Sequence, residues 1–178
     1  MADDAVLETP RLLIRRFRQD DLDAFAAIMG DPATLRLWPC TFTREEVSGW
    51  IGRAIAQSER PGYGRRAVIL KENGALIGDA GILRLELMGR ERNDLGYILD
   101  HRVHGRGLAT EAAAVLRDHA FACGMEGVWA NMATDHTASR RVAQKLGMTL
   151  VATYRNARNR NMETCLFGQR ADGVRPVP

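Results

Sequence analysis

The sequence predicts a single mixed α/β domain with a central, mostly antiparallel sheet flanked by helices. Strand-like segments alternate with segments whose apolar residues recur at spacings of three and four. Only residues 94–133 have the strand, helix, strand order of a parallel crossover. No repeat, linker or second domain interrupts the 178 residues. We expect the domain to cover residues 7–168 and a flexible tail to cover 169–178.

The first segments predict one strand and two helices. Residues 9–18 are the predicted strand. A helix follows over residues 20–29, with two aspartates at its start, apolar residues on one face and Gly-Asp-Pro after its end. Residues 43–46, Thr-Arg-Glu-Glu, have the spacing of a capping box, which begins a second helix that ends at Pro61.

A strand-rich block comes next. Residues 66–71 and 75–87 are predicted strands, and the Glu-Asn-Gly segment 72–74 is a tight hairpin turn between them. Residues 90–93 are polar and are predicted as a second turn, after which residues 94–99 form the next strand. The block therefore predicts a long antiparallel centre for the sheet.

The C-terminal half predicts two helices and three strands. Apolar residues at helical spacing cover 106–123 and 138–146, and each segment is followed by a glycine, which favours helix termination. Residues 127–133 form the strand between these helices, and residues 148–155 and 162–168 form a final pair of strands. The predicted order of elements is β α α β β β α β α β β.

The composition is that of a globular protein. Hydrophobic residues make up 46% of the chain and charged residues 26%. No apolar run reaches the roughly 18–20 residues of a membrane-spanning helix. The first six residues are acidic and lack the apolar core of a signal peptide, so we expect a cytoplasmic protein. The three cysteines are odd in number and lack CxxC spacing, which predicts reduced thiols.

Charge and histidine spacing exclude some kinds of site. The net charge of +3 comes with dispersed arginine clusters that lack interleaved aromatic residues. This pattern favours an anionic ligand over nucleic acid as the main partner. His101 and His104 lie in a loop with no further cysteine or histidine at zinc-ligand spacing, so we expect no metal.

The most informative segment is the loop Arg102-Val-His-Gly-Arg-Gly107, which joins a predicted strand to a predicted helix. Glycines at 105 and 107 let the backbone approach a ligand closely, and Arg102 and Arg106 add positive charge. The free N–H groups and the positive dipole end of the helix favour phosphate. The segment is neither a Walker A loop nor a dinucleotide fingerprint, so nucleotide hydrolysis and NAD binding are unsupported.

Residues 95–99 and 102–112 resemble the acetyl-CoA-binding motif of the GNAT superfamily of N-acetyltransferases. Residues 139–148 resemble the next helix of that superfamily, and residues 7–15 resemble the start of its ribosomal-protein N-terminal acetyltransferase branch (RimJ/RimL-type). The resemblance covers residues 7–168, and three motifs in the right order are more specific than one loop.

The resemblance implies the GNAT acyl-CoA N-acyltransferase fold, with a V-shaped opening between strands 94–99 and 127–133. Acetyl-CoA would lie in this opening, with its pantetheine arm along strand 94–99 and its pyrophosphate on the N–H groups of residues 104–109. The implied acetyl-CoA-binding residues are Ile98, Leu99, Arg102, Val103, His104, Gly105, Arg106, Gly107, Leu108, Ala109, Thr110, His136, Ser139, Arg141 and Lys145.

The resemblance also implies that a primary amine attacks the thioester directly in a ternary complex. Glu86 matches, within a small register error, a glutamate that can act as the base, although an ordinary surface carboxylate is the alternative. Asp94 is a second candidate. Ser139 matches a serine that donates a hydrogen bond to the CoA sulfur, and the alternative is a serine that merely lies near a helix start. Many relatives use a tyrosine where this chain has Ala143, and the branch often has asparagine where this chain has His136.

The acceptor amine is the open part of the prediction. A protein N-terminus fits the branch, and its α-amino group, with a pKa of about 8, is easier to deprotonate than lysine at about 10.4. Trp38 and Trp50 fall where relatives line the acceptor side, and Tyr97 can line the thioester site. The alternatives are a small-molecule amine (an antibiotic, polyamine or amino acid), a catalytically silent acyl-CoA-binding module and a basic RNA-binding or ribosome-binding protein. A homodimer stays open as the assembly.

Overall fold

The computed structural model describes residues 6–177, except for the side chain of Arg158. Residues 1–5, on which the expectation about a signal peptide rests, lie outside this range. Three short 3-10 turns cover Gln19–Asp21, His101–Val103 and Ala157–Asn159. The strands and helices are β1 (Leu7–Glu8), β2 (Leu12–Arg15), α1 (Leu22–Met29), α2 (Arg44–Gln57), β3 (Gly64–Leu70), β4 (Ala75–Leu87), β5 (Arg90–Leu99), α3 (Leu108–Ala122), β6 (Gly127–Ala133), α4 (Thr137–Lys145), β7 (Thr149–Asn156) and β8 (Met162–Arg170).

The strands form one sheet in the order β1-β2-β3-β4-β5-β6-β8-β7. Among the described residues, every neighbouring pair is antiparallel except β5 and β6, which are parallel. β5 and β6 are in register at one pair, Asp94 with Trp129, and diverge beyond it. The structure confirms the predicted mixed α/β fold and its V-shaped opening between residues 94–99 and 127–133.

Helices cover both faces of the sheet, and the side chains of β5 alternate between them. Leu95 and Leu99 belong to the core beneath α3 and α4, whereas Ile98 belongs to the core beneath α1 and α2. Because successive side chains of a strand point to opposite faces, Asp94 and Gly96 face the side of α1 and α2. Any ligand in the opening therefore contacts residues from both faces.

The starts of the first two helices differ in how they are capped. The predicted capping box is present at α2, where Thr43 Oγ1 accepts from the N–H of Glu46 at 3.3 Å and Glu46 Oε2 accepts from the N–H of Thr43 at 2.8 Å. The prediction that the aspartates cap α1 is wrong in detail, because Asp21 makes no side-chain cap bond to that helix. Its carboxylate instead accepts from the N–H of Arg18 at 2.7 Å and pairs with Arg15 at 2.8 Å.

The predicted polar turn at residues 90–93 is wrong. β5 begins at Arg90, and the turn consists of Met88 and Gly89, which have φ of 54° and 70°. A two-residue turn with positive φ at both positions matches the twist of the strands that it joins. Methionine rarely adopts positive φ, so the sequence did not indicate a turn at Met88. The strand β5 is consequently four residues longer at its start than predicted.

Smaller differences occur at the ends of other elements. The predicted strand 9–18 is a short hairpin of β1 and β2, with its turn at residues 9–11. Helix α3 begins at Leu108 because Gly107, with φ of 80°, is its N-cap. At the C-terminal end, β8 continues to Arg170, and Pro176 is buried. Within residues 6–177, no helix combines the length and apolar character needed to cross a membrane.

Candidate active site

A cleft of about 410 Å³ opens where β5 and β6 diverge. It draws residues from both faces of the sheet, which the opening joins. Its lining consists of Leu37, Trp38, Pro39, Trp50, Arg65, Leu83, Leu85, Leu87, Asp94, Leu95, Gly96, Tyr97, Ala113, Ala130, Asn131, Met132, Ala133, His136, Ser139, Val142, Ala143, Leu146, Met148, Asn156 and Asn159.

The glycine loop presents a row of free backbone donors beside this cleft. Within the described chain, the N–H groups of residues 105–110 donate no hydrogen bond to the backbone. The predicted range 104–109 is wrong at its first residue, because the N–H of His104 donates to the carbonyl of His101 at 3.1 Å. Gly105 and Gly107 have φ of 77° and 80°, a left-handed conformation that residues with a Cβ rarely adopt. These N–H groups form the N-terminus of α3, where the helix dipole favours an anion. The local geometry fits a phosphate cradle.

Ion pairs hold the loop in place. The N–H and the Nε of Arg102 both donate to Asp100, at 2.9 and 3.0 Å, and this guanidinium lowers the pKa of the buried Asp100 carboxyl. Arg106 pairs with Glu72 at 3.0 Å, and its carbonyl accepts from Arg11 at 2.8 Å. Because carboxylates already neutralise the charges of both loop arginines, the backbone N–H groups are the donors that remain for an anionic ligand.

The other residues that the resemblance implied for acetyl-CoA fall into two groups. The side chains of Ile98, Leu99 and Leu108 are buried in the two cores, so only their backbone can contact a ligand in the opening. The remaining residues lie nearer the surface. Val103, Ala109 and Thr110 are half-buried, His104 is exposed with Nε2 2.9 Å from the carbonyl oxygen of Leu99, and Arg141 and Lys145 are exposed on α4.

Ser139 lies at the centre of a small hydrogen-bonded cluster in the cleft. Tyr97 Oη donates to Ser139 Oγ at 3.2 Å, and His136 Nε2 lies 3.2 Å from the same oxygen. His136 is the N-cap of α4, and its Nδ1 accepts from the backbone N–H of Ser139 at 3.3 Å. Histidine thus fills the capping position in which the resemblance led us to look for asparagine.

The protonation of this cluster follows from burial. Desolvation lowers the pKa of His136, so the imidazole is neutral near pH 7. Since Nδ1 accepts a hydrogen bond, the ring proton lies on Nε2 and is donated to Ser139 Oγ. With Tyr97 and His136 both donating to the serine oxygen, the proton of the Ser139 hydroxyl is available for a ligand in the cleft.

Among the described residues that line the cleft, Asp94 carries the carboxylate. It is 9% exposed, and its Oδ1 accepts from the backbone N–H of Asn131 at 3.2 Å and from Asn131 Nδ2 at 2.7 Å. Burial raises the pKa of Asp94 to about 6, against the opposing effects of Asn131 and Arg65. A carboxylate with this pKa is ionised at neutral pH and can still accept a proton, as a general base must. Both bonds end on Oδ1, so Oδ2 is the oxygen that a bound amine can reach.

The structure does not bring Glu86 into the cleft. Leu85 and Leu87 line the cleft, and strand side chains alternate, so Glu86 points to the opposite face of the sheet. It is exposed and lies across from Glu91 of β5. Glu86 as the base stays a prediction that the geometry of the cleft does not support, because the strand register that sets its face was not defined by the sequence.

Comparison with known proteins identifies the family of this chain. The family model described as the acetyltransferase (GNAT) domain matches residues 11–149, most of the chain. The chain belongs to the GNAT acetyltransferase family. It is therefore an acyltransferase, and the resemblance seen in the sequence is confirmed at the level of the family. The ribosomal-protein branch stays a prediction.

Individual relatives of this GNAT acetyltransferase match it over most of their length. The N-acetyltransferase YnaD of Bacillus subtilis is 25% identical over 144 residues, which cover 80% of this chain and 81% of that protein. An acetyltransferase from Agrobacterium tumefaciens has a TM-score of 0.75 at 26% identity, with 93% of this chain and 94% of that chain covered. RimL, a ribosomal L7/L12 α-N-protein acetyltransferase solved with CoA, has a TM-score of 0.80 at 17% identity, with 96% and 100% covered.

Sequence reasoning missed the polar residues that support the cleft. Arg65 on β3 and Asp79 on β4 are both buried, with Arg65 Nε 3.0 Å from Asp79 Oδ2, and Trp50 Nε1 donates to the same oxygen at 3.0 Å. Asn156 Nδ2 donates to Asn131 Oδ1 at 3.4 Å, which orients the amide that holds Asp94. The available signal was the presence of charged residues beside the apolar runs of β3 and β4, since charged residues are seldom fully buried unless they are paired.

One group of possible metal ligands occurs among residues 6–177. It consists of Asp31, Asp100 and His101, whose ligand atoms lie within 4.8 Å of one another. His101 Nδ1 is 2.7 Å from Asp31, and Asp100 is held by Arg102. Ion pairing accounts for this group, which lies outside the residues that line the cleft.

Proposed function

We propose that this acetyltransferase transfers the acetyl group of acetyl-CoA to the α-amino group of a protein N-terminus. The proposal rests on the observation that Asp94 and Ser139 both line the same cleft. Asp94 would accept the amine proton, and Ser139 would donate a hydrogen bond to the departing thiolate. The two groups come from opposite faces of the sheet, as a reaction between two ligands that meet in the opening requires.

The donor half of the site is supported by the loop geometry. The pyrophosphate of acetyl-CoA would accept hydrogen bonds from the free N–H groups of residues 105–110. The pantetheine arm would run along the edge of β5 that faces the opening, in the manner of an added strand. Arg141 and Lys145 are exposed on α4 and would add positive charge near the phosphates. The complex of RimL with CoA is consistent with this use of the fold.

The chemical steps follow from the two polar groups. An ammonium ion has no lone pair, so Asp94 Oδ2 first accepts a proton from the bound amine. The nitrogen then attacks the thioester carbonyl carbon, and the C–S bond breaks as the C–N bond is completed. The second proton of the nitrogen passes to the departing sulfur, which leaves as the CoA thiol, and Asp94 returns its proton to solvent. The leaving thiolate is stabilised by the hydroxyl of Ser139, whose oxygen already accepts from Tyr97 and His136. The products are the N-acetylated acceptor and CoA.

The pKa of Asp94 favours an α-amino acceptor over a lysine side chain. The proton moves from a group of pKa about 8 to one of about 6 in the first case, and from about 10.4 in the second. The second transfer is therefore more than a hundredfold less favourable. RimL is described as acting on a protein α-amino group. The resemblance of residues 7–15 to the RimJ/RimL branch points in the same direction.

A thiol-release assay with acetyl-CoA tests the proposal. The acceptors are peptides with a free N-terminus, the same peptides with a blocked N-terminus and an internal lysine, and small amines. We expect turnover with the first group. Preference for small amines would instead support the small-molecule alternative, and CoA binding without turnover on any acceptor would support the silent module.

A matched pair of variants tests the base. We expect Asp94→Asn to reduce kcat by about 10²-fold or more, the usual range for a lost general base, and Glu86→Gln to change it less than about twofold. A larger loss in Glu86→Gln than in Asp94→Asn would restore Glu86 as the base.

A further inference from the structure

We infer that Arg65 holds the carbonyl oxygen adjacent to the acceptor amine, so that the site selects α-amino acyl groups over amines that lack this carbonyl. The inference rests on the proposed function, in which Asp94 receives the amine. Arg65 would then recognise the acceptor, and it lies outside all of the acetyl-CoA motifs.

Two glycines, Gly81 and Gly96, lie in line with Arg65 on the next two strands. Arg65 of β3 is paired with Gly81 of β4, which is paired with Gly96 of β5. A Cβ added at Gly96 would lie 2.8 Å from Nη1 of Arg65. The guanidinium therefore lies over β5 in the space that a side chain at 96 would occupy. Asp94 is two residues earlier on the same strand and faces the same side.

Buried partners fix the guanidinium in this position. Arg65 is 7% exposed, and its Nε lies 3.0 Å from Oδ2 of Asp79, which is fully buried. The guanidinium carbon is 5.8 Å from the centre of the Trp50 ring, and Trp50 itself donates to Asp79. The positive charge of Arg65 also lowers the pKa of Asp94, although burial outweighs it. Arg65 and Asp94 both line the cleft.

This arrangement matches the chemistry of an α-amino acyl group. Such a group carries a carbonyl oxygen two bonds beyond the carbon that bears the amine. With the amine on Asp94, that oxygen would lie beside the guanidinium, whose N–H groups are donors only and suit a carbonyl. An amine without the carbonyl would cover these donors and leave them unpaired, and sites built to bond an oxygen discriminate strongly against ligands that lack it.

The experiment compares an Ala-Ala peptide amide with a methylene analogue in which the first CO–NH unit is replaced by CH2–CH2, so that the carbonyl is removed without adding a second basic amine. Rates are expressed per concentration of free amine, because the two amines differ in pKa. We expect wild-type kcat/KM to be at least about tenfold higher for the carbonyl acceptor. Equal values for the two acceptors would overturn the inference without any variant. If neither acceptor reacts, the proposed function fails instead.

Two variants separate recognition from a structural role. Arg65→Lys keeps a charge beside Asp79, and Arg65→Gln combined with Asp79→Asn removes the buried pair together. We expect each folded variant to lose about tenfold or more in kcat/KM for the carbonyl acceptor and less than about twofold for the methylene analogue. An equal loss for both acceptors would mean that Arg65 acts only through Asp94 or the fold, and would overturn the inference. Arg84→Lys, on the opposite face of β4, is the matched control and should leave both rates unchanged.

Discussion

Replacing Asp94 by asparagine should stabilise the protein while it removes the proposed base. The ionised carboxylate is 9% exposed, and desolvation is the largest influence on its pKa. Asparagine has nearly the same shape, and its Oδ1 can still accept the two hydrogen bonds that Asn131 donates. The substitution therefore removes a buried charge without leaving those donors unpaired.

The size of the effect follows from the pKa of Asp94. Its ordinary value is 3.8, and burial raises it to about 6. At about 1.36 kcal/mol for each pKa unit, the 2.2-unit difference corresponds to roughly 3 kcal/mol. The sign follows from proton binding: because the folded chain holds this proton more tightly than the unfolded chain, ionised Asp94 costs stability as the pH rises. The cost is absent below pH 3.8, grows between 3.8 and about 6, and is complete above about 6.

Urea unfolding followed by circular dichroism measures this cost. We expect the free energy of unfolding of Asp94→Asn to exceed that of the wild type by up to about 3 kcal/mol near pH 7.5 and by about half as much near pH 5. Asp118→Asn, an exposed residue on α3, is the matched control and should change stability little. A variant that is no more stable than the wild type at pH 7.5, or whose advantage does not shrink at lower pH, would refute the argument.

Two further predictions concern the donor half of the site. Gly107→Val should weaken CoA binding by about tenfold or more in calorimetry, because valine strongly disfavours φ of 80° at the N-cap of α3; Gly52→Val, at an ordinary helical position with open space around it, should leave CoA affinity unchanged. Ser139→Ala should lower kcat by about tenfold with little change in KM for acetyl-CoA, because the hydroxyl would act on the leaving thiolate. The exposed Ser48→Ala supplies the comparison, and a Ser139→Ala variant with wild-type kcat would exclude this role.

The elements that the sequence predicted well are those defined by neighbouring residues. The capping box at Thr43 and Glu46 needs only four consecutive residues, and it is present. The strand 127–133 was predicted to the residue, because alternation and flanking turn signals lie within the segment. The hairpin at Met88 was missed for the opposite reason. Its positive φ is imposed by pairing of the two long strands on either side, and local preference argues against it.

The residues of the candidate site also divide into those that a local segment defines and those that depend on pairing between distant strands. Residues 94–112 are contiguous, so the loop, its glycines and the helix start could be identified without knowing the fold. Ser139 was identified because residues 139–148 resemble the corresponding helix of the superfamily, and this segment is also contiguous. Glu86 was preferred to Asp94 because it approximately matches a glutamate of relatives, but a one-residue change in register moves a side chain to the other face of a sheet. Register depends on pairing between distant segments, and the structure supplies it.

The sequence by itself determined the family, the order of elements after the N-terminal hairpin, and the loop that would hold the phosphates of acetyl-CoA. These depend on short-range patterns of backbone conformation and polarity. Tertiary structure alone decided which carboxylate lies in the cleft and what surrounds it. Burial raises the pKa of Asp94, and the missing side chain at Gly96 makes room for Arg65 beside it. Desolvation and cross-strand proximity exist only after distant segments have packed together, so no local pattern can encode them.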